Sequence, residues 1–287
     1  MSKENRNLII FLALTFVWTW AFYAPIAFSG SSPYRMPWMV LLILGGAGPS
    51  IVGVGMVFAT YTREQRKDYW RRCFSVKRIR LVWWAVIFLV FPVLFAICIL
   101  LDVAMGGSLP GMDQLKGLMS SPLSWPLAAF ISFMSGPWSE EFGWRGYALD
   151  PILKRFSVIP GSILLGAIWG MWHLPLFFMP ATWHGKMGFQ LAGFWTFLLF
   201  SIALSLIMTW VYRNTKQSIL AGMLLHFTSN FTAQLIAPSS DRLEILRALL
   251  LFVAGISLCL LSERKSHRQV LPPVPLPGSV PTSPDPR

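Results

Sequence analysis

Residues 81–101 read Leu-Val-Trp-Trp-Ala-Val-Ile-Phe-Leu-Val-Phe-Pro-Val-Leu-Phe-Ala-Ile-Cys-Ile-Leu-Leu, without a single charge. At 1.5 Å per residue a helix of that length extends roughly 31 Å, the thickness of the hydrocarbon core of a bilayer. No water-facing helix can be apolar all the way round, so this stretch must meet lipid or a large interior. It predicts a membrane span.

Outward from it, seven more stretches have the same character: 8–28, 37–60, 124–148, 159–179, 191–212, 217–237 and 243–262. The expected fold class is all-α, a multi-pass membrane helix bundle of about eight transmembrane helices. Composition agrees. The 287 residues are 55% hydrophobic and only 13% charged, where a soluble domain carries about a quarter charged residues. The run from Leu8 resembles a signal peptide, but it continues to about Phe28 with no small-x-small cleavage site, so it is read as the first span. The second span is rich in glycine (Gly45, Gly46, Gly48, Gly53, Gly55), which would let its backbone approach a neighbour closely.

The net charge of +12 would suit a nucleic-acid partner, but its distribution points to a membrane instead. With the N-terminus in the cytoplasm, 18 Lys and Arg fall on the cytoplasmic side, and only Arg35, Lys116, Lys186 and Arg242 fall opposite. That asymmetry favours both termini inside, in the cell membrane, with lipids as partners and no nucleic acid. The loop 62–80, basic with Tyr69, Trp70 and Phe74 interleaved, reads as an ordinary positive-inside loop with interfacial aromatics. Cys73, Cys98 and Cys259 are too scattered for a disulfide framework or a metal site and read as packing residues. Residues 1–262 form the expected membrane-embedded domain. Residues 263–287, with seven prolines from Leu271 onward, read as a Pro-rich disordered cytoplasmic tail.

Ionisable groups at membrane depth are costly and usually functional. Here they are few: Glu140, Glu141 and Arg145 in span 124–148, His173 in span 159–179, and His226 with Asn230 in span 217–237. Counted from the cytoplasmic ends of their spans, Glu140 lies roughly 12 Å deep, His226 roughly 14 Å, Asn230 roughly 20 Å and His173 roughly 21 Å. Three helices could therefore bring them into one layer. Glu141 and Arg145 are i, i+4 in the favourable order for an ion pair. Glu140 is rotated about 100° from Glu141 and is left to face a cavity. Gly136-Pro137 just before them should kink or break the helix and free backbone groups, which suits a wet cavity. His184 and His267 fall in a loop and the tail and need no special account.

These residue types suit hydrolysis. A carboxylate and an imidazole can deprotonate a water, and a second imidazole with an amide can stabilise an oxyanion. Glu140, His173 and His226 are equally a ligand set for a catalytic zinc. A non-enzymatic reading also stands: an immunity or ligand-binding membrane protein, or a small transporter, using the same polar layer. Against transport, no repeated pair of broken helices is visible.

The ordered set Glu-Glu-x-x-x-Arg, aromatic-x-x-x-His and His-x-x-x-Asn resembles the CPBP (Abi) family, the CAAX-protease and bacteriocin-processing intramembrane proteases. Glu140, Glu141 and Arg145 match the first motif. Trp169 and His173 match the second, with Trp where the family often has Phe, and His226 and Asn230 match the third. The resemblance covers residues 124–237. It implies an intramembrane endopeptidase, metal-dependent or not, of the type-II CAAX prenyl endopeptidase kind. Glu140 and His173 would activate water, and His226 and Asn230 would stabilise the oxyanion or serve a metal site, supported by Glu141 and Arg145. The substrate it implies is a peptide or membrane-tethered protein, lipidated in the prenyl-processing members.

Overall fold

The computed structural model describes residues 2–236 and 240–268, and every regular element among them is helical. Fourteen helices follow one another: α1 (Lys3–Ser29), α2 (Trp38–Gly46), α3 (Gly48–Thr60), α4 (Arg63–Phe74), α5 (Leu81–Ala104), α6 (Asp113–Ser120), α7 (Ser124–Phe133), α8 (Ser139–Gly143), α9 (Leu149–Phe156), α10 (Val158–Trp172), α11 (Trp183–Met187), α12 (Thr196–Asn214), α13 (Ile219–Leu235) and α14 (Asp241–Arg268). The protein is a multi-pass helical membrane bundle. Among the described residues, five continuous helical stretches are long and apolar enough to cross a bilayer: Lys3–Ser29, Leu81–Ala104, Val158–Phe178, Leu191–Asn214 and Asp241–Glu263. The pair α2 and α3, bent by 46° at their junction, makes a sixth as one broken span.

The two remaining expected spans, 124–148 and 217–237, are helical but differ in kind. The first is interrupted twice, by π-helical turns at Met134–Trp138 and Trp144–Ala148. The first of these turns contains Gly136 and Pro137, as the sequence led us to expect of a break there. The second stretch is α13, only 17 residues long and rich in Ser, Thr, His and Asn. Both carry the polar residues of interest. α14 continues past the expected domain boundary at 262 to Arg268, and the Pro-rich stretch beyond it lies outside the described residues.

α12 is buried along most of its length and packs against both α10 and α14. A Cβ added at Gly166 of α10 would lie 2.6 Å from the Ile202 Cα, so these two helices touch backbone to backbone. Gly53 of the second span does the same elsewhere. A Cβ at Gly53 would fall 2.6 Å from the Gly143 Cα, and one at Gly143 would fall 2.1 Å from the Pro49 carbonyl oxygen. α3 and the short α8 therefore cross with no room for a side chain between them, which presses the acid-bearing segment into the bundle.

The loop reading of 62–80 is corrected. Residues Arg63–Phe74 form α4, started by a capping box in which Thr62 accepts from the Gln65 N–H and the Gln65 side chain accepts from the Thr62 N–H. Arg63, Lys67 and Arg71 are exposed, but Tyr69, Arg72 and Cys73 are buried. Arg72 bonds Asp150 (2.9 Å), Tyr212 and the Gln217 carbonyl (3.0 Å), tying α4 to α9 and α12. Burial pushes the Cys73 thiol up to about 12. Trp70 is half-buried and Phe74 stays exposed, their ring centroids 6.1 and 6.2 Å from Phe142. Tyr69 and Cys73 sit inward together because they are i, i+4 on one face of the helix, with Trp70 at its edge. All three cysteines are free and buried, as packing residues should be.

Candidate functional site

α8 begins at Ser139 between the two π turns, so Glu140 and Glu141 stand in its first turn. Both are buried. Glu141 Oε1 accepts from Arg145 at 3.0 Å and from His226 Nδ1 at 2.8 Å. The expected i, i+4 ion pair is therefore present, fully buried, and shared with an imidazole from α13. Arg145 also lies over the Trp169 ring, 4.6 Å from its centroid.

Glu140 points elsewhere, as its rotation requires. Its Oε2 accepts from the Trp169 indole N–H at 2.5 Å, and its Oε1 faces His173 Nε2 at 4.0 Å. His173 is the residue at which α10 stops. The chain continues as a 3-10 turn over Leu174–Phe178, because Pro175 cannot extend the α ladder. His173 Nδ1 lies 2.9 Å from the Trp169 carbonyl. A carbonyl only accepts, so Nδ1 carries the proton and, in the neutral ring, Nε2 presents its lone pair toward Glu140.

His226 and Asn230 share one face of α13 and approach the backbone of the first π turn. A Cβ added at Gly136 would meet Asn230 Nδ2 at 3.0 Å and His226 Nε2 at 3.4 Å. Gly136 therefore leaves open the space beside both groups. The structure brings the six predicted residues into two linked groups: Glu140 with His173, and Glu141 with Arg145 and His226, with Asn230 beside His226. The resemblance paired Glu140 with His173; the partnership of His226 with Glu141 was not anticipated.

Zinc would need converging donors. Tetrahedral coordination at about 2.0–2.1 Å sets two donor atoms roughly 3.3 Å apart. Glu140 and His173 face each other at 4.0 Å, and His226 spends Nδ1 on Glu141. Among the described residues, no three His, Cys, Asp or Glu side chains converge as a metal site requires. A cavity of about 770 Å³ is lined by Tyr61, Arg72, Tyr147, Asp150, Lys154 and Arg213, among others; neither Glu140 nor His173 lines it.

Several neighbours escaped the sequence reading. Ser50 of α3 donates to the Trp138 carbonyl at 3.0 Å, and Tyr69 of α4 donates to the Phe142 carbonyl at 2.9 Å. Both acceptors flank interruptions of the helical ladder, where side chains can take over the backbone bonding. His184, set aside as a loop residue, stacks on His173 with ring centroids 5.5 Å apart and an interplanar angle of 25°. Phe197 packs on both rings. Burial and the neighbouring His173 hold the His184 pKa well below the usual histidine value. No spacing rule joins His184 or Tyr69 to the motifs. Trp169, four residues before His173, was legible only as the aromatic of the second motif.

The chain is similar to known proteins. The family model described as type II CAAX prenyl endopeptidase Rce1-like matches residues 122–232, a range that contains every residue of both groups. A curated relative, CAAX prenyl protease 2 of Methanococcus maripaludis, is 29% identical over 268 residues, which is 92% of this chain and 97% of that protein. The polar layer at membrane depth, the family match and the near full-length relative agree: the chain is an integral membrane protein that is similar to the type II CAAX prenyl endopeptidase-like family.

Proposed function

We propose that this protein is an intramembrane endopeptidase that hydrolyses a peptide bond of a prenylated, membrane-tethered protein. The observation that carries the reading is the facing of Glu140 Oε1 and His173 Nε2 at 4.0 Å. Two acceptors at that separation can each take a hydrogen bond from one water molecule, which orients it and raises the electron density on its oxygen. Glu140 takes the proton as the water oxygen bonds to the substrate carbonyl carbon. The oxyanion that forms accepts a hydrogen bond from Asn230 Nδ2, with His226 beside it as the second oxyanion group, its ring oriented by the bond from Nδ1 to Glu141. As the C–N bond breaks, Glu140 returns its proton to the leaving amine.

The identity of the relative supports the substrate class. The asymmetry of Lys and Arg supports cytoplasmic termini in the cell membrane. All of these steps use the chain's own side chains. The zinc version is tested separately: activity that survives complete metal removal excludes it.

The deciding experiment measures cleavage of a farnesylated C-terminal peptide by protein in nanodiscs. Glu140→Gln and His173→Ala should each lower kcat about 10²–10⁴-fold while the protein still inserts. Undiminished cleavage by both variants removes the mechanism. Cells carrying Glu140→Gln should accumulate the natural substrate; full biological function with that variant would favour the immunity or transport reading.

A further inference from the structure

Trp169 touches four of the five charged or titratable members of the two groups: Glu140, His173, His226 and Arg145. Its indole N–H donates to Glu140 Oε2 at 2.5 Å, and its carbonyl holds His173 Nδ1 at 2.9 Å. Its ring packs edge-on to His226 at 5.1 Å and lies under Arg145 at 4.6 Å. A buried aromatic residue needs none of this to fill a core. Its N–H would be satisfied by any carbonyl, yet it is aimed at one oxygen of the carboxylate proposed as the base. Phenylalanine, which the resembling family often carries at this place, has no donor to offer, so the bond to Glu140 comes from this chain's own residue.

We propose that Trp169 is a positioning residue that fixes which oxygen of Glu140 acts on water. A carboxylate has two equivalent oxygens and a terminal torsion with broad wells. With Oε2 tied to the indole, the torsion is set and Oε1 is left directed at His173. The Trp169 carbonyl fixes the His173 tautomer at the same time. One residue therefore orders both halves of the water-activating pair from the same turn of α10. Preorganisation of this kind lowers the barrier without adding a contact to substrate, so it acts on kcat and leaves KM unchanged. The proposal rests on the protease reading for its kinetic consequence and on geometry alone for the bond itself.

The test replaces Trp169 in the full-length protein with 3-benzothienylalanine, which keeps the bicyclic shape and exchanges the N–H for sulfur. In nanodiscs, with farnesylated peptide, kcat should fall about tenfold to a hundredfold, the range for losing one hydrogen bond to a charged group. KM and thermal stability should hold. Unchanged kcat in an inserted, folded protein overturns the proposal, and so does a loss carried by KM alone. A second measurement needs no catalysis. The ¹⁵N-indole resonance of Trp169, assigned by its absence in Trp169→Phe, should have the downfield proton shift of a strong hydrogen bond and move upfield in Glu140→Ala. The same resonance in both proteins overturns the bond even where cleavage is intact. If no peptide is cleaved by the wild type, the protease reading fails while this measurement still decides the position of Trp169.

Discussion

α5 and the rod from Ser124 to Phe156 occupy the same kind of environment and solve it in opposite ways. α5 runs 24 residues as one helix, even through Pro92, and turns Val82, Phe88, Leu89, Val93, Ile97 and Leu100 outward. Its backbone groups are closed within the helix, so lipid can cover it. The polar group at its far end, Asp102, is bound by Arg242 at 2.6 Å. The rod 124–156 is broken by two π turns, and its acidic pair lies between them. Its interruptions need Ser50 and Tyr69 from other helices, and its α8 needs the bare backbone of α3 alongside. A regular helix is stable in lipid because it leaves nothing unpaired. A site needs groups aimed at something other than their own helix, and must then be enclosed by protein.

Three substitutions would break or sharpen this contrast. The largest effect should come from Gly143→Val, because any Cβ there meets the Pro49 carbonyl at 2.1 Å and neither backbone can yield. It should destabilise by about 3 kcal/mol or more, or abolish folded protein; thermal unfolding in detergent measures it, and a wild-type melting temperature would remove the claim that α3 must touch α8. Tyr69→Phe should cost about 1–3 kcal/mol, the penalty for a buried acceptor left without its donor. The buried Cys73 thiol reports the same event: it should be silent to maleimide in the wild type and label in the variant, in a background without Cys98 and Cys259. Equal labelling in both would mean that Tyr69 does not hold α4 against α8. The smallest effect belongs to Leu89→Ala on the outward face of α5, where a change within about 0.5 kcal/mol is expected in lipid. A loss comparable to that of Tyr69→Phe would mean this face packs against protein.

How much was legible follows from the same contrast. The uncharged run 81–101 announced a span by composition alone, because lipid selects on the whole circumference of a helix. The acids, histidines and Asn230 stood out because their presence at depth contradicts that selection. The break at Gly136-Pro137 was legible for a local reason: proline removes a donor wherever it stands. Tyr69 and His184 were not legible, since each acts on a partner far along the chain and each has an ordinary local setting.

The sequence by itself determined a membrane-spanning helical bundle, the six polar side chains and their order on three helices. Those are properties of hydropathy and helical period, which are local. Only the tertiary structure decided that His173 faces Glu140 while His226 faces Glu141, and that Trp169 stands between them. A helix can rotate about its axis and slide along its neighbours without changing its own hydrogen bonds. Which acid meets which imidazole is therefore set by contacts between helices, such as Gly53 on Gly143, that no single segment contains.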